Sequence, residues 1–126
     1  MAEDVSLNLE IEKRDGYLYA LYRGDPLTLG MIVKTINAVA EAIRSGGFTR
    51  VLLVRDAPLL DSDQNRALVA GLIKQNITAG VKFAIVDKFG NDPAAAARAV
   101  EASRKAGWDL TAFDTIEKAE EWLKGS

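Results

Sequence analysis

The sequence predicts an α/β domain in the order β-β-α-β-α-β-α-β-α, an N-terminal antiparallel hairpin joined to a mostly parallel sheet. Three observations point there. Residues 5–12, VSLNLEIE, alternate apolar and polar and run into Asp15-Gly16, a hairpin turn signal. Apolar strand starts then recur at Val51, Val81 and Asp109, roughly thirty residues apart, the size of a βα unit. Between them lie helical stripes, each closed by glycine.

The elements follow in order. Val5, Leu7, Leu9 and Ile11 form one face of the first strand, and YLYALYR, 17–23, is its apolar, Tyr-rich partner. A type I′ turn at Asp15-Gly16 would match the twist of the pair. GDPLT, 24–28, breaks the strand, and Thr28 is placed as a helix N-cap. Leu29, Ile32, Ile36, Val39, Ala40 and Ile43 recur at three- and four-residue spacing until Gly46-Gly47 stops the helix. RVLLVR, 50–55, is a continuous apolar strand, followed by a loop and a helix through about Ala79. VKFAIV, 81–86, is the next strand, and Asp92-Pro93 opens an Ala-rich helix with Pro in the first helical position. DLTAF, 109–113, is a short strand, and a last helix runs from Asp114-Thr115 to Trp122-Leu123. Right-handed crossovers should make the strands starting at Val51, Val81 and Asp109 parallel.

Composition narrows the chemistry. The 126 residues suggest one domain, 1–126, with 48% apolar residues and a net charge of −2. That charge gives no reason to expect nucleic acid or an anionic membrane, and no apolar run is long enough to span a bilayer. The N-terminal MAEDVSLNLE lacks the basic start and apolar stretch of a signal peptide, so a cytoplasmic location is expected. There is no Cys and no His. Thiolate nucleophiles, His-based triads and His- or Cys-ligated zinc are therefore excluded. Any catalysis would rest on carboxylates, Lys, Arg, Ser, Thr or Tyr. A non-enzymatic protein without cofactor or metal is expected.

Loops after parallel strands gather on one sheet edge, where ligands usually bind. Here they bring Arg23, Asp25, Arg55, Asp56, Asp61, Asp63, Asp87, Lys88, Asp92 and Asp114 together, an acidic edge. Helix N-termini favour such residues, so Asp25, Asp61, Asp63, Asp92 and Asp114 read as caps or first-turn acids. The chemical alternative is a magnesium site or phosphoryl acceptor at Asp61-x-Asp63. Phosphatases with paired aspartates carry them directly off a strand, whereas Ala57-Pro58-Leu59-Leu60 intervenes here. Neither G-x-x-x-x-G-K nor G-x-G-x-x-G occurs. Tyr17, Tyr19 and Tyr22 are expected to pack on the sheet, with groove lining the weaker reading. Trp122 shares a stripe with Ile116, Ala119 and Leu123 and should dock the last helix.

Two stretches carry a family resemblance. VLLVRDAPLLDSDQNRALVAGL, 51–72, resembles the strand, Asp-bearing loop, Asp-Ser pair and helix of STAS domains, which share the SpoIIAA-like fold. The second runs from VKFAIVDKFG, 81–90, to AGWDLTAFDTIEKAEEWL, 106–123, and its ending, F-x-x-x-x-x-A-x-x-W-L from Phe113, is similar to the bacterial STAS/Sec14-like subgroup, which generally has no assigned reaction. The resemblance covers nearly the whole chain. It implies a regulatory domain acting through protein or small-ligand contacts, with Ser62 at the position a partner kinase can phosphorylate. The chain departs from the family at Gln64, where antagonists of anti-sigma factors usually have Gly, and Asp63 adds fixed charge beside Ser62. Asp61 with Gln64 also fits a capping box, so cap and switch compete for the Asp61-Ser62-Asp63 stretch. Partner contact is expected around Asp56, Asp61, Ser62 and Asp63, along an edge carrying Asp25, Arg55, Asp87 and Lys88. One alternative is a binder of a lipid or anionic metabolite, with an apolar cavity beneath the second helix among Leu60, Leu68 and Leu72. The other is a carboxylate-dependent phosphatase. Apolar strand faces left exposed would favour a homodimer.

Overall fold

The hairpin closes where the alternation ends. In the computed structural model, which describes residues 8–24, 29–59, 62–76 and 80–125, β1 (Asn8–Arg14) pairs antiparallel with β2 (Tyr17–Arg23). Arg14 faces Tyr17 across the two-residue loop Asp15-Gly16. Gly16 alone takes positive φ there, 86°. A type I′ turn needs it at both central residues, so the expected turn type is corrected: the aspartate stays in its ordinary region and the glycine reverses the chain. Val5 and Leu7, and Thr28 as a cap, lie outside the described residues.

The rest follows the predicted order: α1 (Leu29–Gly46), β3 (Arg50–Asp56), α2 (Asp63–Asn76), β4 (Lys82–Asp87), α3 (Pro93–Lys105), β5 (Asp109–Phe113) and α4 (Ile116–Lys124). At the end of α1, Gly47 takes φ 67° and its N–H donates to the Ile43 carbonyl at 2.8 Å, the left-handed stop that glycine permits. The five strands lie side by side in chain order, β2 through β5 parallel. Each new strand adds on the same side. Crossovers of one hand then put every intervening helix on one face, and the core follows that division. Leu18, Ala20, Val51 and Phe83 pack with Val39, Ala40 and Ile43 of α1 and with Trp108. Tyr17, Tyr19, Leu21, Leu52, Val54, Ala84 and Val86 pack with Ala119 and Leu123 of α4 on the other face.

A sheet whose strand order never reverses has no topological switch point, so it opens no crevice of the kind that usually holds ligands at such an edge. The space for a ligand must lie between layers instead.

The nine-residue α4 is too short to persist alone and depends on tertiary burial. Leu123 and Ala119 supply it, both fully buried. Trp122 is only partly buried, 5.5 Å from the Phe113 ring with the Lys82 ammonium 4.6 Å above its own. The Tyr17 hydroxyl donates to Glu120 of α4, and the Arg14 guanidinium lies 3.9 Å over the Tyr19 ring. At the β5 edge, Arg104 Nε donates to the Leu110 carbonyl at 2.9 Å, occupying an edge acceptor that could otherwise pair with another strand. Among the described residues the large exposed apolar side chains are Leu68 and Phe89, neither on a strand. Exposed apolar strand faces, the motive for expecting a homodimer, are not found there. No helix among the described residues is long and apolar enough to cross a membrane.

Candidate functional site

In β3, alternation sends Leu52 and Val54 towards α4 and Val51, Leu53 and Arg55 towards the three-helix layer. The register then builds rungs across the sheet on that side. Tyr22, Arg55 and Asp87 form the rung nearest the strand C-termini, Ala20, Leu53 and Ile85 the next, and Leu18, Val51, Phe83 and Leu110 the third. From Arg55 to Val51 the strand covers roughly 13 Å at about 3.3 Å per residue.

Above these rungs is a cavity of about 140 Å³. Its floor is Leu53, Phe83, Ile85 and Leu110. Ile32, Thr35 and Ile36 of α1, Asn65, Arg66, Val69 and Ile73 of α2, and Ala95, Ala99, Val100 and Ser103 of α3 wall it. Trp108 borders the far end, edge-on to Phe83 with ring centroids 5.9 Å apart. The cavity does lie beneath the second helix, but not among the leucines expected to line it. Leu68 points outward, 46% exposed, Val69 and Ile73 face in, and Leu60 lies outside the described residues.

Polar groups are concentrated near the C-terminal ends of the strands, where Tyr22, Thr35, Arg55, Asn65 and Arg66 meet. Thr35 Oγ1 donates within its own helix, to the Met31 carbonyl at 3.0 Å. Arg55 is the exceptional group, a cation only 5% exposed. Its Nε is buried and has no hydrogen-bond partner, and it sits 3.9 Å from Asp87 Oδ1, an ion pair too long for a hydrogen bond. Asp87 is committed elsewhere: it accepts from Phe89 N at 3.0 Å, Asn91 N at 3.1 Å and Asn91 Nδ2 at 3.2 Å. Asn91 in turn donates to the Ala57 carbonyl and accepts from Leu59 N, both at 2.9 Å. One amide side chain thus ties the β3–α2 loop to the β4–α3 loop and holds Leu59 in the cavity wall. Burial pushes the Tyr22 hydroxyl above its ordinary pKa, and the neighbouring Arg55 guanidinium offsets this only in part, so the phenol stays protonated and can donate.

The expected edge residues therefore separate. Arg55 and Asp87 come together at the cavity mouth. Asp56 turns to the α4 side and pairs with Arg23 Nε at 3.0 Å. Lys88 is exposed, its backbone N–H bonded to the Arg55 carbonyl at 2.7 Å. Asp25 and Asp61 lie outside the described residues, and Asp63 is the first residue of α2.

Hydroxyls, not carboxylates, make the caps seen here. Ser62 Oγ accepts from Asn65 N at 3.1 Å and its carbonyl accepts from Arg66 N at 2.9 Å, which places the α2 cap at Ser62. The cap thus falls one residue after the position the Asp61–Gln64 spacing suggested, and Asp61 itself lies outside the described residues. Thr115 Oγ1 caps α4 through Lys118 N at 3.2 Å. Asp92 makes no side-chain cap bond. Asp114 pairs with Lys118 Nζ at 3.2 Å, and that ammonium holds its carboxyl below its ordinary value. Among the described residues no group of three or more carboxylates is placed to hold a metal ion.

Trp108 escaped the sequence reading. It lies between the end of α3 and β5, on no helical stripe, and its position directly before a short strand is the one signal available. It is 8% exposed, and its Nε1 has no hydrogen-bond partner. Compared with known proteins, the chain matches no family model and no curated sequence.

Proposed function

We propose that this protein is a non-catalytic binder of a small, largely apolar molecule, held between the sheet and the α1–α3 layer. The observation that carries this reading is the cavity itself. Close-packed interiors leave few voids larger than a water molecule, and this one, at about 140 Å³, approaches the ~150 Å³ apolar cavity that admits benzene. Its walls come from three helices and four strands, and it reaches the sheet end where Arg55 and Tyr22 meet. The regulatory role implied by the STAS resemblance is compatible with it, with ligand occupancy as the signal instead of phosphate on Ser62, whose hydroxyl already caps α2.

Titration with toluene, followed by amide and indole NMR signals, tests the reading. Shifts should concentrate at Val69, Ala99 and Trp108, and Ala99→Leu, which fills the cavity, should abolish them. No localised shift at saturating toluene would reject it. Native mass spectrometry of the purified protein should show a co-purifying small molecule released on denaturation.

A further inference from the structure

We infer that the molecule held in this cavity is an organic anion, a carboxylate on a benzene-sized apolar body, with its charged end at Arg55. This rests on the cavity reading and specifies its ligand class. Two independent observations carry it. The first is the sign of the wall: among the described residues the charged side chains lining the cavity are Arg55 and Arg66, and no carboxylate lines it. The second is the state of Arg55. A buried cation is costly unless it is paired and hydrogen-bonded. Here the Nε is without a hydrogen-bond partner, and the nearest carboxylate, Asp87, stands back at 3.9 Å while accepting three hydrogen bonds from its own loop. Asp87 balances charge without supplying a hydrogen bond to Nε. A carboxylate in the cavity would do so, because guanidinium and carboxylate match in a planar, bidentate geometry. The Tyr22 hydroxyl, on the same rung, is a further donor.

The apolar end fits the same molecule. Away from Arg55 the lining is mostly apolar, Leu53, Ile73, Phe83, Ala99 and Leu110, with Ser103 and Trp108 the only polar side chains among the described residues there and no charged group. A neutral hydrocarbon would leave Arg55 as it is, and a cation would meet its guanidinium.

Calorimetric or NMR titration with benzoate, benzamide and toluene separates the possibilities. In the wild-type protein benzoate should bind about tenfold or more tighter than its neutral isostere benzamide, the scale of a charge-assisted hydrogen bond. Arg55→Met should bring the two to parity while toluene binding persists. Arg55→Lys, which keeps the charge and loses the fork, should retain part of the preference and serves if the methionine variant does not fold. Toluene and benzamide binding as well as benzoate in the wild type would overturn the anion assignment and leave the cavity reading standing. Failure of all three probes to bind would overturn both. A benzoate preference unchanged in both Arg55 variants would move the anion site away from Arg55 and sink the inference.

Discussion

The two faces of the sheet have unequal covers. A single helix of nine residues, α4, seals one of them, and Leu52, Leu123, Val54, Ala84 and Ala119 are all wholly excluded from solvent. The other face has three helices of 18, 14 and 13 residues, yet it holds a cavity, a buried arginine and both of the unpartnered buried side-chain nitrogens found among the described residues. The amount of covering structure therefore does not decide how well a face is packed. Side-chain reach does. Small Ala84 and Ala119 let α4 settle close to the sheet, where Leu123 fills the remaining space. The Ala-rich start of α3 satisfies helix propensity, but Ala95 and Ala99 are too short to fill the space opposite Ile85 and Phe83. Interiors elsewhere are close-packed, and a space left beside an unpartnered donor on only one face suits binding there and structural anchoring on the other.

The sharpest test compares truncations on the two faces. Leu123→Ala should be the most damaging change, costing about 2–5 kcal/mol by urea denaturation. Ile73→Ala, which removes a half-buried side chain already bordering empty space, should fall near or below the lower end of that range. Equal costs would mean that the two faces are packed alike. Trp122→Ala should cost less than Leu123→Ala, since the ring is only partly buried against Phe113 and Lys82.

Next in size come the caps. Ser62→Ala and Thr115→Ala should each cost about 0.5–2 kcal/mol. Hydrogen exchange should separate them: loss of the Ser62 cap should speed exchange in α2, over the cavity, without affecting α4, and loss of the Thr115 cap should do the reverse. Acceleration of both helices by either substitution would show that the faces open together.

The smallest effect belongs to Asp114, fully exposed and paired with Lys118. Its carboxyl titrates below the ordinary value of 3.8 when folded. The pair therefore stabilises the folded state above that pH, and the contribution is lost as pH falls through the depressed folded value. Asp114→Asn should lower stability slightly at neutral pH, with the difference from wild type vanishing under acid conditions. A difference that grew with acid would reverse the sign. Toluene binding, across the sheet, should be unchanged in this variant.

Much of the architecture was legible in the chain and much of the site was not. The element order could be read because strand alternation, the α1 stripe and the glycine stops each report local backbone geometry. Arg55 could be named as an edge residue, but RVLLVR is apolar on both faces. Which side its arginine joins depends on the register with Tyr22 and Asp87. In α2, apolar residues at 67–70 and 72–73 offer two overlapping stripes. Only contact with α1, α3 and the sheet selects Val69 and Ile73 over Leu68. The sequence drew attention to Trp122 on its helical stripe, while Trp108, in a connection without periodicity, became the more buried ring.

By itself, then, the sequence determined the elements, their order and the chemistry excluded by the lack of His and Cys, because these depend on residue type and on neighbours a few positions away. The tertiary structure decided which face of the sheet Arg55 joins, which side of α2 turns inward and the space between sheet and helices. A void is set by the sum of side-chain lengths meeting from different elements, and no local stretch of sequence contains that sum.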